Sequence, residues 1–219
     1  MNKSMVFPNF WQALLYNYIL PIIIGIAVLL LIFKGAVPTE LYTFNSNLGH
    51  LFTIPFLLFF LWKSKIKISW SEFTNISINK ILVIILLTVS IEFIFYGTTI
   101  LFERLFDRNY PNFSTKPTHF LSVIHALVAA PVIEEILYRR IFVHQFLKQY
   151  SFWVAITFSS ILFVIPHVPT IIFPELFIPF FIGGLFLGFV YYKTQSVLLC
   201  IISHFIMNAI TYLPIHKLF

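Results

Sequence analysis

Three short groupings of residues could do chemistry: Glu134-Glu135-x-x-x-Arg139, Phe163-x-x-x-His167 and His204-x-x-x-Asn208. They lie in a chain that is 59% hydrophobic and only 10% charged. Charged residues at the centre of a membrane helix each cost roughly 2.5–3.5 kcal/mol on translocon-type scales, so the ones present need a use. Glu135 and Arg139 are four apart, on one helix face, and can pair. Glu134 lies about 100° round the same helix and can point into a cavity, where a carboxylate is a candidate general base. Pro166 and Pro169 constrain the backbone at His167. His204 and Asn208 fall on one face, one turn apart.

Each grouping alone has a plainer reading: a structural ion pair, a polar helix end, a helix–helix hydrogen bond. Taken together, a carboxylate, two imidazoles and a carboxamide can activate a water, orient it and stabilise a tetrahedral oxyanion. Glu134, His167 and His204 are equally an acceptable ligand set for one divalent metal with an open position, Zn2+ or another. The metal-free and metal-assisted versions both end in hydrolysis of an amide bond inside a membrane.

The elements that must hold these residues are apolar helices. The chain has 219 residues with a mean hydropathy of +0.93, and its charged fraction is far below the roughly 25% of soluble domains. Candidate spans run Leu14–Phe33, Asn47–Trp62, Ile81–Leu101, Phe152–Ile165, Ile171–Tyr192 and Ser196–Leu213, with one long helix at His119–Tyr150 bent at Pro131. The expectation is an all-α, polytopic transmembrane bundle of about seven spans, one integral membrane domain over residues 1–219. Lys3, Lys63, Lys65, Lys67, Lys80, Arg140, Lys148 and Lys193 then fall on the N-terminal side of the bilayer, an excess that makes that side cytoplasmic. Gly184 and Gly188 have the small-xxx-small spacing of closely packed helices.

Composition also excludes. The net charge of +6 lies mostly in short loops and does not imply nucleic-acid binding. The single cysteine, Cys200, allows no internal disulfide and no cysteine metal site. The only aspartate is Asp107, so a paired-aspartate protease is ruled out. There is no His-Glu-x-x-His and no Gly-x-Ser-x-Gly, which sets aside zincin-type and nucleophile-elbow chemistry.

The ordered triplet of motifs resembles the family of CAAX prenyl endopeptidases and bacteriocin-processing or self-immunity proteins, known as CPBP or Abi. Gly183, Gly184, Gly188 and Tyr191-Tyr192-Lys193-Thr194 are also similar to that family. The resemblance covers residues 120–210 and implies an intramembrane endopeptidase with its catalytic core there. It implies that Glu134 activates the hydrolytic water with help from His167. His204 and Asn208 would form the oxyanion site, with Glu135 and Arg139 in support. The implied partners are a peptide or membrane-protein substrate and the lipid bilayer of a cell membrane. A composition rich in Ile, Phe, Lys and Asn suggests a bacterial source.

Two other classes compete. A non-catalytic immunity or scaffolding protein would not need Glu134, His167, His204 and Asn208 together. A small transporter would relay protons through Glu92, Glu134 and His125, and would show an inverted repeat; none is found. Glu92 has no role in the triplet, and pairing with Arg139 or Arg140 is the expectation for it.

Overall fold

The computed structural model describes residues 19, 54–55, 57–59, 61–62, 76–106, 123–165, 167 and 176–212. These residues are helical apart from short links, and no strand occurs among them. The expected span Leu14–Phe33 lies outside the described residues except for Ile19. By internal contacts the chain divides into two units, Met1–Ile68 with His119–Ile133, and Ser69–Thr118 with Glu134–Phe219.

In the first unit, residues 54–62 are helical wherever they are described. Trp62 is largely exposed, and its ring lies 6.0 Å from that of Phe59. A π-helical stretch, π1 (His125–Ala129), leads into α2 (Ala130–Glu135). The Ala130 N–H reaches back to the His125 carbonyl, and Pro131 next to it has no N–H to give. Around this proline the helix widens into a π turn, a known local adjustment to a missing donor.

The second unit holds the rest. Helix α1 (Ile78–Phe106) starts at Ser77, whose Oγ accepts the Lys80 N–H at 3.4 Å, an N-cap arrangement. Arg104 lies in its last turn, where a cation suits the helix dipole. The hydroxyls of Thr88, Ser90, Thr98 and Thr99 bond to carbonyls three or four residues back, which hides polar groups in an otherwise apolar helix. Its buried stripe is Ile84, Thr88 and Glu92; Leu82, Leu86, Phe93, Leu101 and Leu105 are exposed. A helix apolar on every face suits a lipid environment.

The chain from Glu134 onward runs through π2 (Ile136–Val143) and α3 (His144–Phe146), then turns at residues 147–149. The expected single helix to Tyr150 therefore ends at Phe146. Helices α4 (Phe152–Val164), α5 (Phe177–Thr194) and α6 (Val197–Tyr212) follow. Gln195 takes the left-handed conformation, φ 51°, and its N–H closes on Tyr191 at 2.7 Å. Ser196 Oγ then accepts the Leu199 N–H at 3.2 Å, so two residues suffice to reverse from α5 to α6.

The packing centre of this unit is α4 on α5. A Cβ on Gly184 would lie 3.0 Å from Ser160 Cβ, and one on Gly188 3.1 Å from Ile156 Cβ. The glycines let the two helix backbones meet at a distance that no side chain permits. Ile84, Val143, Ile156, Val190, Tyr191, Val197, Leu199 and Cys200 form the core beside them. Helices α1 and α5 are long and apolar enough to cross a membrane, and α4 and Val197–Ile210 are shorter apolar helices.

Candidate active site

The site lies in the second unit, where the end of α2, π2, the end of α4 and α6 meet. Arg139 is the largest side chain in the structure with no solvent contact among the described residues. Its Nε lies 3.0 Å from Glu135 Oε2, near enough for an ion pair but misaligned for a hydrogen bond. Nη1 and Nη2 have no hydrogen-bond partner among the described residues. The guanidinium instead lies 4.9 Å from the Phe163 ring centre and 5.8 Å from that of Tyr138. A weakly hydrated planar cation is well held by such rings.

Glu135 has a second partner that helical spacing does not disclose. Its Oε1 accepts from His204 Nδ1 at 2.9 Å. A carboxylate only accepts, so Nδ1 carries a proton, and Nε2 is the nitrogen that faces Glu134. That nitrogen lies 4.0 Å from Glu134 Oε2. The distance is too long for a direct hydrogen bond and short enough for one water to touch both atoms. Arg139, Glu135, His204 and Glu134 thus form one series, in which Glu135 is the link and Arg139 fixes Glu135.

His167 follows α4 directly. Its Nδ1 donates to the Phe163 carbonyl at 2.7 Å, and its N–H to the Val164 carbonyl at 2.9 Å. The carbonyl again requires the proton on Nδ1, leaving Nε2 the lone pair. The His167 ring lies 4.7 Å from Phe163 and 4.9 Å from Phe180. Asn208 is half-buried on α6, one turn beyond His204. Ser159 Oγ donates to the Tyr138 carbonyl at 2.8 Å, which ties α4 to π2.

Two features escaped the reading of the sequence. Phe163 is the hub of the site: its ring touches Tyr138, Arg139, His167 and His204. Its place four residues before His167 was the available signal. Glu92 pairs with neither Arg139 nor Arg140; it is buried, and His204 is the titratable neighbour that acts on it.

Among the described residues no group of three or more His, Cys, Asp or Glu side chains is placed to hold a metal ion. Glu134 and His204 are close to one another, but the set Glu134, His167 and His204 does not assemble as a three-ligand centre.

Residues 116–210 match the family model described as type II CAAX prenyl endopeptidase Rce1-like. That is the CAAX-protease family which the three motifs resemble. The match takes in every residue of the site described above and leaves α1, with Glu92, outside it. No curated protein and no solved structure matches the chain.

Proposed function

We propose that the protein is an intramembrane endopeptidase that hydrolyses a peptide bond of a membrane-associated peptide or protein. The carrying observation is the pair formed by Glu134 Oε2 and His204 Nε2, 4.0 Å apart and backed by Glu135 and Arg139. The match to a CAAX endopeptidase family over residues 116–210 supports the same reading.

In this account Glu134 takes a proton from a water held between it and His204. The water oxygen bonds to the scissile carbonyl carbon, and the carbonyl oxygen becomes an oxyanion that accepts hydrogen bonds from the Asn208 amide and from His204 Nε2, the ring then holding a proton on each nitrogen. When the C–N bond breaks, the proton taken by Glu134 passes to the leaving nitrogen, giving a carboxylate and an amine. His167 Nε2 assists at the water. Because Glu135 fixes the His204 ring, the oxyanion partner is in place before substrate arrives. No step passes through a metal. We further assign residues 120–210 as the catalytic core of one multi-pass domain, 1–219, with about seven spans, in a bacterial cell membrane.

The test is cleavage by detergent-purified protein of a pool of membrane-associated peptides, including peptides with a prenylated C-terminal cysteine, read by mass spectrometry. Wild type cleaves, and Glu134→Ala loses cleavage at unchanged thermal stability. A Glu134→Ala protein as active as wild type overturns the assignment.

A further inference from the structure

The site as described leaves one buried carboxyl group unused. Glu92 is 5% exposed, on α1, outside the segment that matches the family. The two residues before it on the same face, Ile84 and Thr88, are also buried, and Ile84 belongs to the core with Val190, Val197 and Cys200. The Thr88 hydroxyl is engaged by the Ile84 carbonyl at 2.7 Å. On the far side, the Phe95 ring meets Phe180 edge-on at 5.5 Å, and Phe180 in turn meets His167. Glu92 is therefore set between the core layer and the aromatic pair that borders His167, where α1 packs on α5 and α6.

Among the described residues Glu92 accepts no hydrogen bond and joins no ion pair. Among the described titratable groups, His204 is the one whose field reaches it. Lys80 and Arg104, on the same helix, are each twelve positions away, about 18 Å along the axis. Arg139 is taken by Glu135 and two rings. Glu134 and Glu135 also lie at His204. A carboxylate at Glu92 is costly to bury without a counter-charge.

We propose that Glu92 binds a cationic side chain of the substrate, a lysine or arginine close to the scissile bond, and so selects basic peptides. The assignment deepens the peptidase reading, and its test does not require turnover. Two fluorescent peptides are used, identical except that lysine in one is norleucine in the other. Their binding to the Glu134→Gln protein is measured by anisotropy in neutral detergent. The lysine peptide is expected to bind at least about tenfold tighter, and the ratio to fall to about one in E92Q/E134Q. E92D/E134Q, which keeps the charge, is expected to retain a preference, and thermal unfolding of each variant checks the fold. A ratio that survives in E92Q/E134Q, or that is absent from E134Q, overturns the assignment. If wild type cleaves neither peptide while the ratio holds, the peptidase reading falls and the cation site stands. If wild type cleaves both with equal kcat/KM, the cation site falls and the peptidase reading stands.

Discussion

Glu135 and Glu92 are both buried, and their surroundings could hardly differ more. Glu135 has a partner at each oxygen: Arg139 at 3.0 Å and His204 at 2.9 Å. Glu92 has none among the described residues, only the field of His204. The contrast extends to the helices that carry them. Around Glu135, π2 is buried at Leu137, Tyr138, Arg139, Ile141, Phe142 and Val143. Along α1 most large apolar side chains are exposed and one narrow stripe faces inward. Both oxygens of Glu135 have a neighbour of opposite or donor character among the described residues, and Glu92 has none there. Satisfied buried networks fix a structure, and an unpaired buried polar group is costly.

The largest expected effect breaks the complete side. Arg139→Met leaves Glu135 charged and buried, and should lower stability by about 3–5 kcal/mol. The double variant Glu135→Leu with Arg139→Met should recover most of this, read by reversible unfolding in detergent. A small effect of Arg139→Met would show that the ion pair does not hold the site.

The next compares helix packing. Gly184→Ala puts a Cβ 3.0 Å from Ser160 Cβ and 3.2 Å from its Cα, and should cost about 1–3 kcal/mol because backbone must move. Gly97→Ala on α1 meets nothing within 4 Å and should be neutral, or stabilise by up to about 1 kcal/mol through helix propensity. Equal effects at the two glycines would erase the distinction between the regions.

Glu92→Leu should run opposite to Arg139→Met. Removing a buried carboxyl group with no partner among the described residues should raise stability by about 1–3 kcal/mol. A fall in the unfolding temperature would mean that Glu92 is already paired. The smallest effect is Ser159→Ala, which removes the bond to the Tyr138 carbonyl and should cost about 1 kcal/mol in the same unfolding measurement.

What was legible in the sequence was local. Glu135 and Arg139 are four residues apart, so their pairing follows from helix geometry alone. Gly184 and Gly188 announced a close helix contact, and it is made with Ser160 and Ile156. The apolar runs marked α1, α4, α5 and α6, with ends displaced by a few residues. The rest depended on tertiary approach. The Glu135–His204 bond joins residues 69 apart in the chain, and no periodicity reports that. The widening into π1 and π2 depends on where each carbonyl finds a donor, as Tyr138 does in Ser159, which the residue pattern alone does not show. The expected partner of Glu92 was an arginine, since a carboxylate in an apolar helix calls for one. The structure spends Arg139 on Glu135 instead.

The most direct test of the central claim is a single-turnover reaction in oxygen-18 water, with wild type and Glu134→Gln compared on a peptide that wild type cleaves. Hydrolysis by water activated at Glu134 predicts label in the new C-terminal carboxylate of the wild-type product. It also predicts a rate loss of at least about 100-fold in Glu134→Gln at unchanged stability. Product without label, or a Glu134→Gln protein as fast as wild type, would contradict it.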